Sequence, residues 1–229
     1  MLEERMSVAA DSADTALFHQ IESTLYTAVV ADSLDELGYH DRAMSERLRP
    51  VTPNFCFAGW ARTISCVDVH YTPQDPYAKE IEAVDSILPG EVVVVSTGSS
   101  RRNAPWGELL STAAVARGAR GAVIDGLVRD VKKMEALGFP VFAVGIKPVD
   151  AKGRGLVMEY NVPVECGEIL ITPGDLVFAD YDGVVVVQRE VVNEVVRLAT
   201  EKVTCENHSR AELERGAYLR DVYRKYGVL

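Results

Sequence analysis

Between residues 15 and 37 the apolar positions Leu17, Ile21, Leu25, Val29, Leu34 and Leu37 recur at helical spacing, and Gly38 follows directly. That spacing gathers them on one helix face, and a glycine ends a helix without steric cost, so one or two N-terminal helices are predicted. The period then changes. Over residues 59–69, Trp60, Arg62, Ile64, Cys66 and Asp68 alternate with Ala61, Thr63, Ser65, Val67 and Val69, which suits a half-buried strand with an exposed edge. Residues 91–96 carry four consecutive valines and read as a strand buried on both faces. Pro73 and Pro76 mark a loop between the two strands, and residues 77–88 read as a short helix closed by Pro89-Gly90.

Further on, residues 106–117 are helical in period, Gly118 and Gly121 break the chain, and 122–125 form a short buried strand ending at Gly126. A helix over 131–137 and a strand over 141–144 continue an alternation typical of a mostly parallel sheet. The final third differs. Short strands over 162–165, 168–171, 176–179 and 184–188 suggest hairpins, the last turning at Tyr181-Asp182-Gly183, and from residue 190 the chain is helical and charged. The expected organisation is a polar, frayed tail over 1–14, an α/β domain over 15–189 and a C-terminal helical extension over 190–229.

Composition narrows the function classes. With 229 residues, 48% of them hydrophobic, the chain can bury one sizeable core. A net charge of −10 repels nucleic acid unless a basic patch is segregated, and none is visible, so no nucleic-acid partner is expected. No apolar run reaches membrane-spanning length and Met1-Leu2-Glu3-Glu4-Arg5 starts no signal peptide, so a cytoplasmic protein without membrane attachment is expected. Cys56, Cys66, Cys166 and Cys205 lack the close spacing of zinc or redox motifs and read as free thiols. His19, His40, His70 and His208 have no metal-ligand spacing, and phosphate-binding glycine motifs and nucleophile triads are missing.

Two segments could carry chemistry. Trp106-Gly107-Glu108-Leu109-Leu110 opens a helix after the small-residue loop over 98–105, and unpaired N–H groups at such a start suit a carboxylate or enolate oxygen. The plainer reading is that Pro105 and Gly107 start the helix and Glu108 complements its dipole. The strand over 122–125 runs out to Arg129-Asp130, where ligands gather in open α/β sheets. Asp130 could ligate a hard cation with one oxygen while Arg129 holds an anionic substrate; equally, Asp130 could cap the next helix beside a solvated arginine. Asp180 and Asp182 belong to the hairpin turn, and Glu201 and Glu206 look like surface residues of a charged helix.

Together, Trp106-Gly107-Glu108-Leu109-Leu110, Arg117-Gly118-x-x-Gly121-x-Val123-x-Asp125-Gly126-x-x-Arg129-Asp130 and Phe139-Pro140-Val141-Phe142 resemble the RraA-like superfamily. Pro173-Gly174-Asp175-Leu176-Val177 and Asp180-x-Asp182-Gly183-Val184 extend the likeness. Within the superfamily the chain is most similar to the 4-hydroxy-4-methyl-2-oxoglutarate and 4-carboxy-4-hydroxy-2-oxoadipate aldolases. The resemblance implies a swivelling β/β/α-type α/β fold with a mixed central sheet, assembled as trimers or dimers of trimers with sites between subunits. It implies Mg²⁺ or Mn²⁺ on Asp130, a 2-oxo acid substrate contacted by Arg129, and pyruvyl binding at Gly107 and the N–H groups of Leu109 and Leu110. Glu108 takes the place of an acidic residue, usually Asp, that hydrogen-bonds metal-bound water. A glutamate from a neighbouring subunit best matches Glu206, with Glu201 as fallback. The implied activity is cleavage of a 4-hydroxy-2-oxo acid to pyruvate, with oxaloacetate decarboxylation through the same enolate. A sugar-acid pathway lyase and a non-catalytic regulator that inhibits RNase E are the alternatives; that regulator branch lacks the metal-binding aspartate and the long C-terminal extension.

Overall fold

The computed structural model describes residues 2–51 and 56–228, with side chains from Ala13 onward; Met1 and Leu229, within the expected tail and extension, lie outside the described residues. Two helices open the chain, α1 (Leu2–Thr24) and α2 (Thr27–Glu36). Helix α1 takes in most of the stretch expected to be a tail. Gly38, at φ 83°, ends this helical region as its position implied.

Eight strands then make one mixed sheet: β1 (Arg49–Pro50), β2 (Phe57–Asp68), β3 (Glu91–Ser96), β4 (Gly121–Val128), β5 (Val141–Ile146), β6 (Gly155–Tyr160), β9 (Leu176–Asp180) and β10 (Gly183–Val187). Strands β2, β3, β4 and β5 run parallel, while β1, β6, β9 and β10 join antiparallel. Helices α3 (Ala78–Asp85), α4 (Glu108–Ala116) and α5 (Val131–Leu137) lie in the connections between parallel strands. A separate hairpin, β7 (Val164–Cys166) with β8 (Ile169–Ile171), covers part of the opposite face. Helices α6 (Val192–Glu214) and α7 (Leu219–Tyr226) end the chain.

The side-chain period of two sorts each strand between layers. Val92 and Val94 of β3 pack with Phe142, Val164 and Ile171 on the hairpin side; Val93 and Val95 pack with Ala83, Ala114 and Met134 on the helix side. Burial on both faces is why β3 reads as unbroken valine. A third cluster joins α1, α2 and α6 to Phe178, Val185 and Val187 of the β9–β10 hairpin. The layering agrees with the β/β/α arrangement that the family resemblance implied.

Strand β2 corrects one expectation. Instead of half-buried with an exposed edge, it is buried on both faces from Phe57 to Ile64, apart from partly buried Trp60, because it lies inside the sheet. Strand β3 pairs with one edge of it, and β9 and then β6 share the other, with a register shift between Ser65 and Cys66. The polar residue that suggested exposure, Arg62, is 6% exposed. Its charge is met by Glu91 at 3.6 Å, by the Ser86 carbonyl and hydroxyl, and by the Tyr160 ring. Strand β6 escaped the sequence reading altogether. Among the described residues no helix is long and apolar enough to cross a membrane, and all four cysteines are free thiols.

Candidate active site

The site is laced together by residues 104–107, which run between the end of β4 and the stretch after β5. Ala104 bridges to Asp150 and donates its N–H to the Val149 carbonyl at 2.8 Å. Trp106 bridges to Val128, and the Arg129 N–H donates to the Trp106 carbonyl at 3.0 Å. The Trp106 indole is buried and donates to Ser111 Oγ at 2.9 Å, whose hydroxyl donates to the Gly107 carbonyl at 3.0 Å. These bonds fix the turn into α4, which begins at Glu108, two residues later than the apolar pattern suggested. Ser111 is the first residue whose N–H reaches back to a helical carbonyl position, Gly107 O at 3.1 Å. By helix geometry the N–H groups of Leu109 and Leu110 are then left for a ligand.

Gly107 sits in the angle between this turn and the end of β4. A Cβ there would lie 2.9 Å from Asp130 Oδ2 and 3.1 Å from Arg129 Cγ, so the glycine makes room for both charged side chains. Asp130 adopts the left-handed conformation, φ 59° and ψ 28°, unusual for a residue with a side chain. It occupies the cap position of α5 yet makes no side-chain capping bond. The helix-cap reading of Asp130 is therefore replaced: the carboxylate is 43% exposed and turned toward Arg129, whose Nε lies 3.6 Å from Oδ2.

A cavity of about 300 Å³ is lined by Gly107, Glu108, Leu109, Leu110, Arg129 and Asp130, and also by Tyr77, Glu80 and Asp150. Six sequence-selected residues thus meet in one place. Glu108 accepts from Thr112 Oγ1 at 3.1 Å and lies 3.7 Å from Lys133 Nζ. Asp150 Oδ1 lies 3.1 Å from Arg129 Nη2, and its Oδ2 accepts from the Tyr77 hydroxyl at 2.5 Å. Burial works to raise the Asp150 carboxyl, but the Tyr77 hydroxyl, the Lys152 N–H and the Arg129 charge together hold it below the usual range. Burial, reinforced by the Asp150 charge and opposed by Arg129, pushes Glu80 up to about 7. The hydrogen bond to Asp150, with burial, pushes the Tyr77 hydroxyl up to about 12.

Sequence reasoning missed Glu80 and Asp150 as site residues, and reached Tyr77 only as the start of a short helix after a proline-marked loop. Tyr77 and Asp150 are 73 residues apart, and neither lies in a motif. Their only local signal is the proline-marked loop before Tyr77 and Pro148 before Asp150.

Four carboxylates, those of Glu80, Glu108, Asp130 and Asp150, line this cavity with one guanidinium. The surplus of negative charge and the uncapped Asp130 suit a hard divalent cation, which needs only one or two protein carboxylates when water and substrate oxygens fill the remaining positions. No cluster of three or more His, Cys, Asp or Glu poised to hold a metal occurs among the described residues, so a metal here would rest on Asp130 with water and substrate oxygens and not on a closed zinc-type cage. Glu206 and Glu201 do not line the cavity within one chain. Glu206 accepts from the Tyr26 hydroxyl and lines a different cavity, of about 340 Å³, beside α2, α6 and α7. Glu201 is paired with Arg197 at 2.6 Å on the surface of α6.

Comparison with known proteins places these residues in context. The family described as RraA-like, Aldolase/RraA, matches residues 27–186, which include the whole cavity but stop short of Glu206. An uncharacterized protein of Methanocaldococcus jannaschii is 43% identical over 52% of this chain; the match spans just over half, 57%, of that protein. The "Putative 4-hydroxy-4-methyl-2-oxoglutarate aldolase" of Halalkalibacterium halodurans is 31% identical over 78% of this chain and 80% of its own length. Among solved structures, Streptomyces coelicolor RraAS2, described as an unusual member of the RNase ES inhibitor RraA protein family, superposes with a TM-score of 0.76. It is 28% identical and the match covers 85% of this chain and 96% of that one.

Proposed function

The chain belongs to the RraA-like family, and on that footing we propose that it is a lyase, a metal-dependent pyruvate aldolase. It would cleave a 4-hydroxy-2-oxo acid into pyruvate and an oxo compound, with oxaloacetate decarboxylation as a related activity. The observation that carries this reading is the uncapped Asp130 carboxylate, held beside Arg129 and the open start of α4 in one cavity.

Asp130 would hold Mg²⁺ or Mn²⁺, which when bound supplies Lewis-acid stabilisation of developing negative charge. Arg129 and the N–H groups of Leu109 and Leu110 bind the carboxylate and keto oxygen of the 2-oxo acid. The C4 hydroxyl gives its proton to the Glu108 carboxylate as the C3–C4 bond breaks; the bond's electron pair moves into a pyruvate enolate and C4 becomes the carbonyl of the leaving product. The same groups that bind the anionic end oppose the enolate charge, an interaction that strengthens as the charge develops. Glu108 serves the return of a proton to the enolate methylene. The C-terminal helices contribute Glu206 to the site of a neighbouring subunit in a trimer or dimer of trimers, with Glu201 as the alternative donor. The separation of Glu206 from the cavity within one chain agrees with that role.

The test is to supply metal and a panel of 4-hydroxy-2-oxo acids and oxaloacetate, and to follow pyruvate release by the wild type and Asp130→Ala. Metal-dependent release that the substitution abolishes is expected; release that ignores the metal, or an unaffected variant, would overturn the reading. The likeness to RraAS2 supports a second reading, a protein-binding regulator of RNA turnover. Absence of pyruvate release together with direct binding to an RNase E-type partner would favour it.

A further inference from the structure

The lyase reading gives Arg129 a role but does not say what keeps its guanidinium off the adjacent Asp130. We propose that Asp150, steadied by Tyr77, is a positioning residue that holds Arg129 for substrate and keeps the Asp130 carboxylate uncovered. The inference rests on the lyase reading of this site.

Three observations carry it. A free guanidinium grips a carboxylate with two parallel N–H groups, yet toward Asp130 the approach is by Nε at 3.6 Å, longer than a hydrogen bond. Nη2 is drawn to Asp150 instead, at 3.1 Å. The Asp150 carboxylate is itself fixed, because its second oxygen accepts from Tyr77 at 2.5 Å and from the Lys152 N–H at 3.2 Å. Finally, both ends of the Arg129–Asp150 pair are tied to one short stretch, Ala104 bridging to Asp150 and Trp106 bridging to the residue before Arg129. The backbone separation of the two residues is thereby fixed at a span the two side chains bridge. With Asp150 neutral, the nearest anion left to the guanidinium is Asp130, and closure onto it would cover the metal-binding oxygen.

The test uses the full-length protein with Asp150→Asn and Tyr77→Phe, each made alone and combined with Arg129→Lys. Misplacing a substrate-holding group by about 1 Å costs roughly 100-fold in rate. Asp150→Asn is therefore expected to lower kcat/KM for pyruvate release on that order, and to weaken Mn²⁺ binding, followed by calorimetry, about tenfold. In the Arg129→Lys background the same change is expected to add less than about twofold, because the two residues act as one unit. Tyr77→Phe should give a smaller loss of the same kind, and it carries the test if Asp150→Asn does not fold. An equal loss in both backgrounds, or unchanged turnover and Mn²⁺ affinity, would overturn the proposal. Should the wild type release no pyruvate, the lyase reading fails and the anchoring is read from the Arg129 Nε–H resonance alone. Broadening of that signal in Asp150→Asn sustains it, and an unchanged signal ends it.

Discussion

Asp130 combines a left-handed backbone with a side chain that takes no part in capping its helix. A residue with a Cβ pays about 1–2 kcal/mol for that conformation, less for aspartate than for most, whereas glycine adopts it freely. An aspartate kept there without a capping bond points to use of its carboxylate. Asp130→Gly is accordingly expected to be more stable than Asp130→Val by about 1–2 kcal/mol in denaturant unfolding, with both variants silent in pyruvate release. Equal stability would mean that the backbone relaxes out of the left-handed region. Glu80 offers a pH-dependent counterpart. Its carboxyl is pushed from 4.5 to about 7 in the folded protein, so the folded state binds a proton that the unfolded chain releases. The group therefore costs nothing below about pH 4.5, and its cost grows through that window to its full value above pH 7. Glu80→Gln should stabilise the protein at pH 8 by up to about 3 kcal/mol and leave it unchanged at pH 4, as thermal unfolding at the two pH values would show.

At the scale of elements, the same division between capping and other work appears at α2. Its cap residue, Tyr26, makes no side-chain capping bond, and the task passes to the β9–β10 hairpin. Asp180 accepts the Thr27 N–H at 2.7 Å and the Thr27 hydroxyl at 2.6 Å, and also the Asp182 N–H at 2.9 Å within its own turn. One carboxylate thus shapes a hairpin and docks a helix start on it. Asp180→Ala is expected to cost about 1–2 kcal/mol in equilibrium unfolding while leaving the cavity around Arg129 intact; a loss below about 0.3 kcal/mol would show that water replaces it fully. The sequence identified the turn at 181–183 because Asp-Gly between valine-rich strands is a local signal. It did not disclose the docking, because Thr27 and Asp180 are 153 residues apart.

For the whole molecule, the proposed sharing of a site between copies makes a prediction, since Glu206 lies outside the cavity that holds Asp130 in its own chain. Under the proposed assembly, Asp130→Ala and Glu206→Gln are each expected to be inactive alone. Mixed after dissociation and reassembly, they should regain a measurable fraction of wild-type turnover, because some sites would then draw Asp130 and Glu206 from undamaged parents. No recovery on mixing, with mixed oligomers verified by mass, would mean that Glu206 does not act across an interface.

Much of this protein follows from its sequence alone. The valine run of β3, the helix over Val131–Leu137, the hairpin turn at Asp182-Gly183 and the segments that hold Glu108 and Arg129-Asp130 are encoded within a few residues of one another, where periodicity and turn chemistry act. Tertiary structure alone decided the rest. The burial of β2 followed from its place inside the sheet, and Arg62 was tolerable there only because Glu91, Ser86 and Tyr160 meet its charge. Local sequence likewise favoured Asp130 as a cap; its freedom became visible once the backbone angles and the facing Gly107 and Arg129 were in place. The Tyr77–Asp150–Arg129 chain is the clearest case, since it joins three distant stretches through contacts of 2.5 and 3.1 Å. Such pairings carry no periodic signature, because what selects them is distance in the folded chain and not spacing along it.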